Sequence, residues 1–102
     1  MKPFKLHQFL NEHNWQTRQF ALNMYQEFTL PSSTDCFYFS VFGAITHFYE
    51  CRMKKGQAYR EMLESQLNAY ALTHFGMFWK DFEKAKGQTW NNVKKVLVEL
   101  DI

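Results

Sequence analysis

The chain has 102 residues, enough for one hydrophobic core and too few for two separately stable ones. At 46% hydrophobic and 22% charged it has the make-up of a folded globular domain, not of a disordered segment. A net charge of +2 gives no electrostatic footprint for nucleic acid, and no apolar run approaches the roughly 18 residues that a membrane span needs. The unusual feature is aromatic: Phe, Trp and Tyr make up 19% of the chain and eleven of them are Phe, crowded into residues 36–49 and 75–82. That is more than a core of this size obviously requires, so the excess is expected to line a pocket or a partner surface.

Taken in chain order, the elements read as helices. Residues Met1–Gln8 contain no continuous apolar stretch of the kind that marks a secretory signal. With only two cysteines, the chain is expected to be cytoplasmic with reduced thiols. A short helix is expected over about Phe4–Asn11. A second should run over about Trp15–Phe28, because Phe20, Met24 and Phe28 recur at i+4, and Leu30-Pro31 ends it. Ser32 to Asp35 then offer caps for a third helix over Cys36–Met53. Tyr38, Phe42, Ile45 and Tyr49 would form its inner face; Cys36, Ser40, Gly43 and His47 form the small or polar one. Phe37 to Phe42 also suits a strand, but the 3-4 spacing persists for three turns, which favours helix. Gly43 would be tolerated in that helix where another backbone packs closely against it.

Lys54-Lys55-Gly56 reads as a helix stop. A fourth helix spans about Gln57–Phe75, with an Arg60–Glu64 pair at i,i+4, and Gly76 ends it. A short fifth helix covers Met77–Lys86. A sixth starts near Thr89 with Trp90, Val93, Leu97 and Leu100 on one stripe, and Asp101 lies unfavourably at its negative end. The fold class is therefore all-α: one compact domain over residues 1–102, a bundle of five to six helices. Its expected core sets Tyr38, Phe42, Ile45 and Tyr49 against Phe20, Met24, Phe28, Leu63, Leu67, Trp90, Val93 and Leu97.

For chemistry, Cys36 is the one candidate nucleophile, since a thiol in the first turn of a helix is shifted toward thiolate. The alternative is a small buried hydrophobe. On a shared helix His47 would lie roughly 16 Å from it and Cys51 roughly 22 Å, which excludes both a catalytic pair and a disulfide. His47 and Cys51 are i,i+4, but a structural zinc needs four ligands, so neither metal nor cofactor is expected. Lys80, Lys84 and Lys86 beside Trp79 and Phe82 read as a solvated helix face.

The segment Pro31-Ser32-Ser33-Thr34-Asp35-Cys36-Phe37-Tyr38-Phe39-Ser40-Val41 resembles the nucleophile segment of the ovarian-tumour-type cysteine deubiquitinases, where a Pro-Gly-Asp-Gly-x-Cys turn enters a helix. Tyr59-Arg60 followed by Phe75 looks like that family's next helix, and Thr89-Trp90 is similar to its Thr-Trp-Gly element, so the resemblance covers Pro31–Leu97. It implies Cys36 as nucleophile. Ser33 and Thr34 stand where the family has Asp and Gly, and no His follows His74. The resemblance therefore implies an inactive or truncated relative.

The reading these residues support first is a non-enzymatic binding module. Its aromatic surface or groove, drawn from Trp15, Phe39, His47, Phe48, Phe75, Phe78 and Trp79, would meet a protein partner or a second copy of the chain. The alternatives are a pocket for a small apolar ligand lined by Phe, Tyr and Met around His47 or His74, and thiol chemistry at Cys36.

Overall fold

In a computed structural model, which describes residues 5–102, helix accounts for about 51% of the structure and a two-stranded sheet interrupts it. The elements are α1 (Leu6–Phe9), β1 (Ala21–Leu22), β2 (Tyr38–Phe39), α2 (Val41–Ile45), a π-helical turn (Thr46–Glu50), α3 (Gly56–Phe75), α4 (Trp79–Glu83) and α5 (Trp90–Leu100). The fold is mostly helical, with five α-helices among the described residues, rather than all-α. Phe4, the expected start of the first helix, lies outside the described residues.

The expected helix over Trp15–Phe28 does not form, and polar side chains explain why. Gln16 Oε1 accepts from the amides of Arg18 (2.7 Å) and Gln19 (3.1 Å). Asn23 Oδ1 accepts from the amides of Tyr25 (2.9 Å) and Glu27 (3.1 Å). Each folds the backbone into a local turn, which competes with helix for the same donors. The intervening residues pair with the next strand instead: β1 and β2 are antiparallel, with Ala21 opposite Phe39 and Leu22 opposite Tyr38. Leu22 also bridges Phe28, and Trp15 bridges Phe39. Phe20, Met24 and Phe28, expected in the core, are consequently exposed.

The third helix begins five residues later than its expected start. Tyr38 and Phe39 form β2, and Ser40 is the N-cap, its hydroxyl accepting from the Gly43 amide at 3.1 Å. Every residue of α2 is buried. The helix then widens: the Cys51 amide bonds to Thr46 O at 3.0 Å, five residues back. Gly56 does not stop this element. It opens α3, while Lys55 takes the left-handed conformation (φ 62°).

α3, α4 and α5 match expectation within two or three residues at each end. Thr89 caps α5, accepting from the Asn92 amide; Gly76 ends α3 at φ 69°; and Arg60 pairs with Glu64 at 3.2 Å. The charge of Asp101 at the end of α5 is met by Lys5, whose Nζ lies 3.5 Å from its carboxylate and donates to its carbonyl at 2.9 Å. The core joins Leu6 and Leu10 to Ile45, Leu63, Leu67, Trp79, Val93 and Leu97. Phe42 and Tyr49 are buried as expected, while Tyr38 and Trp90 are half-buried.

Gly43 is held by close approach. A Cβ there would sit 1.7 Å from the carbonyl oxygen of Phe20 and 2.5 Å from its carbonyl carbon. Gly43→Ala must therefore push the residue 20 backbone off α2, and we expect it to lose about 3 kcal/mol or more in urea unfolding. Gly76→Ala, where nothing lies within 4 Å and only the positive φ matters, should lose about 1 kcal/mol. Equal losses would show that Gly43 is not pinned by Phe20.

Candidate functional site

The most unusual local chemistry is a buried carboxylate. Glu83, on α4, is almost wholly enclosed. Its Oε2 accepts from the Trp15 indole N–H and from the Val41 amide, both at 2.8 Å, and its Oε1 accepts from the Trp79 indole at 3.1 Å. Burial pushes the carboxyl above the usual carboxylate range; the Val41 amide and the two indoles pull it down, and burial wins. Trp79 and Trp15 were candidate contact residues on sequence grounds. The structure makes Trp79 core and sets Trp15 half-buried against Trp90, with ring centroids 6.1 Å apart.

Phe39, His47 and Phe48 do come together, but as an interior aromatic cluster. Phe48 stacks on Phe9 at 4.1 Å and lies 5.3 Å from Phe39 and 4.9 Å from His47. Both nitrogens of His47 are occupied: Nδ1 is 2.6 Å from the Pro31 carbonyl and Nε2 is 3.2 Å from the Arg52 guanidinium. Since guanidinium only donates and carbonyl only accepts, the ring is held with its proton on Nδ1. Among the described residues no three His, Cys, Asp or Glu side chains gather to hold a metal ion.

Cys36 is not in a helix, so the axial separation from His47 does not apply. Its thiol donates to the Leu30 carbonyl (3.1 Å) and lies 3.7 Å from the Pro31 carbonyl oxygen, the oxygen that His47 also meets. Sharing that oxygen brings the two groups within about 6.3 Å of each other, the sum of those two distances. The expected helix N-terminus, which would have favoured thiolate, is replaced by carbonyl acceptors. Burial pushes the Cys36 thiol up, and the neighbouring Asp35 adds to it. Asp35 itself is held low by the hydroxyls of Ser33 and Thr29.

Two exposed apolar regions remain. One is the segment between residues 20 and 38, where Met24 (61%), Tyr25 (75%), Phe28 (61%), Leu30 (60%) and Phe37 (51%) are all more than half exposed. Of these, sequence reasoning had placed Met24 and Phe28 in the core. The other is the junction of α3 and α4, where Phe75 stacks on Phe82 at 4.1 Å and Phe78 is exposed. Tyr70, His74, Phe75 and Phe82 there face Lys95, Val96 and Glu99 of α5 across a cleft of about 400 Å³. The Tyr70 hydroxyl donates to Glu99 at 2.5 Å.

No protein-family model, no curated protein and no solved structure matches the chain.

Two measurements follow from these local environments. Cys36 should react with iodoacetamide several-fold more slowly than exposed Cys51, since its thiol is half-buried and its pKa raised; mass-resolved labelling that found Cys36 faster would restore it as a nucleophile. Glu83→Gln presents one acceptor oxygen and an amide group to three N–H donors, and should lose about 1–3 kcal/mol. Because the folded-state value of Glu83 is raised, its contribution is fully present below the ordinary carboxylate range and is lost as pH rises through the folded value. The wild-type advantage over Glu83→Gln in urea unfolding should therefore shrink with rising pH. A flat difference would mean an unshifted carboxyl.

Proposed function

We propose that this chain is a binding module that meets another protein chain, a second copy of itself included, through the hairpin between β1 and β2. The observation that carries the reading is the set of five large apolar side chains, Met24, Tyr25, Phe28, Leu30 and Phe37, each more than half exposed on one short segment. Single exposed apolar residues are ordinary, but such a concentration marks contact surfaces. Aromatic residues and Met are also the types enriched at interface cores. The segment is preorganised by the turns that Gln16 and Asn23 hold and by its pairing to β2, so binding would order little new backbone.

A second reading has its own observation. The cleft between the α3–α4 junction and α5 offers the aromatic wall of Tyr70, His74, Phe75 and Phe82 to a small, largely apolar ligand. Its volume of about 400 Å³ lies at the small end of the range for ligand sites.

Native mass spectrometry at tens of micromolar separates the two, run on the wild type and on a Met24→Ser/Phe28→Ser/Phe37→Ser variant. These three side chains are exposed, so the variant should keep the wild-type melting temperature within about 2–4 °C. We expect a bare dimer that the variant splits. A dimer that survives the variant would overturn the hairpin as the contact surface. A wild-type monomer carrying extra mass would move the function to the cleft.

A further inference from the structure

We propose that the pocket between the residue 17–20 loop, the start of α2 and α4 binds a small organic anion built on a single ring, such as an aryl carboxylate or aryl phosphate. Three cations line it, Arg18, Lys80 and Lys84, together with two aromatic residues, Phe20 and Phe42, and Ser40. Among the described residues none of the three cations forms a salt bridge with a carboxylate. Lys80 Nζ lies over the Phe20 ring at 5.0 Å from its centroid, and Arg18 donates to Gln26 at 3.0 Å. The single acidic lining residue is Glu83, and both of its oxygens are turned to N–H donors from Trp15, Val41 and Trp79. The three cations thus hold no ion pair among the described residues, Lys84 acting on Glu83 only through space, while both Glu83 oxygens are engaged by the protein.

The size limits the ligand. The space is about 210 Å³. A dry cavity of roughly 150 Å³ takes benzene, so this one has room for one ring and one acidic group and not for a dinucleotide. The walls are also built before anything binds. Gln16 holds the 17–19 turn, its side-chain amide donating to Gln19 O at 2.7 Å as well as accepting from two amides. Gly43 fixes the backbone of Phe20 against α2, and Glu83 fixes α4 against Val41. A preformed site loses less on binding than one that must be ordered. This pocket shares no residue with the three positions altered in the hairpin variant, so the two proposals stand or fall separately.

The test is a titration of the whole ¹⁵N-labelled chain with phenyl phosphate, with benzyl alcohol as the neutral ring of similar size, followed by amide shifts. Saturable shifts are expected at Gln19, Ser40, Val41 and Lys84 with phenyl phosphate alone, weakening as salt is raised. Lys80→Met/Lys84→Met should weaken the affinity by about tenfold or more. Both lysines are exposed, so the variant should fold, and an unchanged far-ultraviolet spectrum confirms it. Benzyl alcohol binding as tightly as phenyl phosphate would overturn the anion site. So would an affinity unmoved by the double variant, shifts confined to other residues, or the absence of saturable shifts.

Discussion

The structure depends on one carboxylate accepting three N–H donors from three separate parts of the chain. Trp15 lies in the N-terminal turns, Val41 opens the central helix, and Trp79 lies on α4, on the same face as Glu83. Two of the donors are in the interior: the indole of buried Trp79, and the Val41 amide, one of the free donors at a helix start; the third is the indole of half-buried Trp15. Taking a carboxylate out of water costs several kcal/mol. Three hydrogen bonds to a charged acceptor return about 1.5–3 kcal/mol each. The two sums are comparable, so the network adds little net stability, and its effect is on which arrangement forms. α4 has only five residues and could not hold a helix alone. It is placed by Glu83, by the burial of Trp79 and by Asn68, whose side-chain oxygen accepts from the Trp79 amide at 2.9 Å.

With the interior fixed in this way, the hairpin attaches through its backbone and through the two short strands, β1 being buried on both faces. Ala21, Leu22 and Phe39 are buried, and the Phe20 backbone lies on Gly43. The larger side chains of the segment point outward. Leaving an aromatic or Met side chain in water forgoes about 1.5–3 kcal/mol relative to burying it. The aromatic surplus is therefore divided between two tasks. Phe39, Phe42, Tyr49 and Trp79 fill the interior, while Tyr25, Phe28, Phe37 and Phe78 lie at the surface.

What was legible in the sequence was whatever local periodicity and caps decide. α3 is long and ends at Gly76, and α5 is amphipathic and starts from Thr89, so their limits could be read within a residue or two. The close approach at Gly43 could be read from a glycine inside a helix, which is tolerated where another backbone packs closely. The region from Trp15 to Phe39 could not. Its i+4 stripe of Phe20, Met24 and Phe28 is present in the sequence, but Gln16 and Asn23 take the amides that a helix would need, and strand pairing across sixteen residues carries no local signal. The same displacement upset the geometry at Cys36: a distance measured along an assumed helix has no meaning once the thiol lies in irregular chain beside Pro31. Glu83 was missed because Trp79 and Glu83 at i,i+4 is an ordinary pairing on an exposed helix, and only the distant Trp15 and Val41 make it unusual.

The pocket lies at the same joint as the carboxylate, because both are made where the N-terminal turns, α2 and α4 meet. A small helical domain packed only from apolar stripes would close such a joint with side chains. Here the joint carries N–H donors, which Glu83 meets, and three cations that form no salt bridge among the described residues. An anion seated among Arg18, Lys80 and Lys84 would share the pocket with Glu83 and would repel its charge, favouring the protonated carboxyl that burial already favours. Occupancy and protonation of Glu83 would then be linked through one residue, and a change on either side would be transmitted to Trp15, Val41 and Trp79 by the hydrogen bonds that hold the fold together.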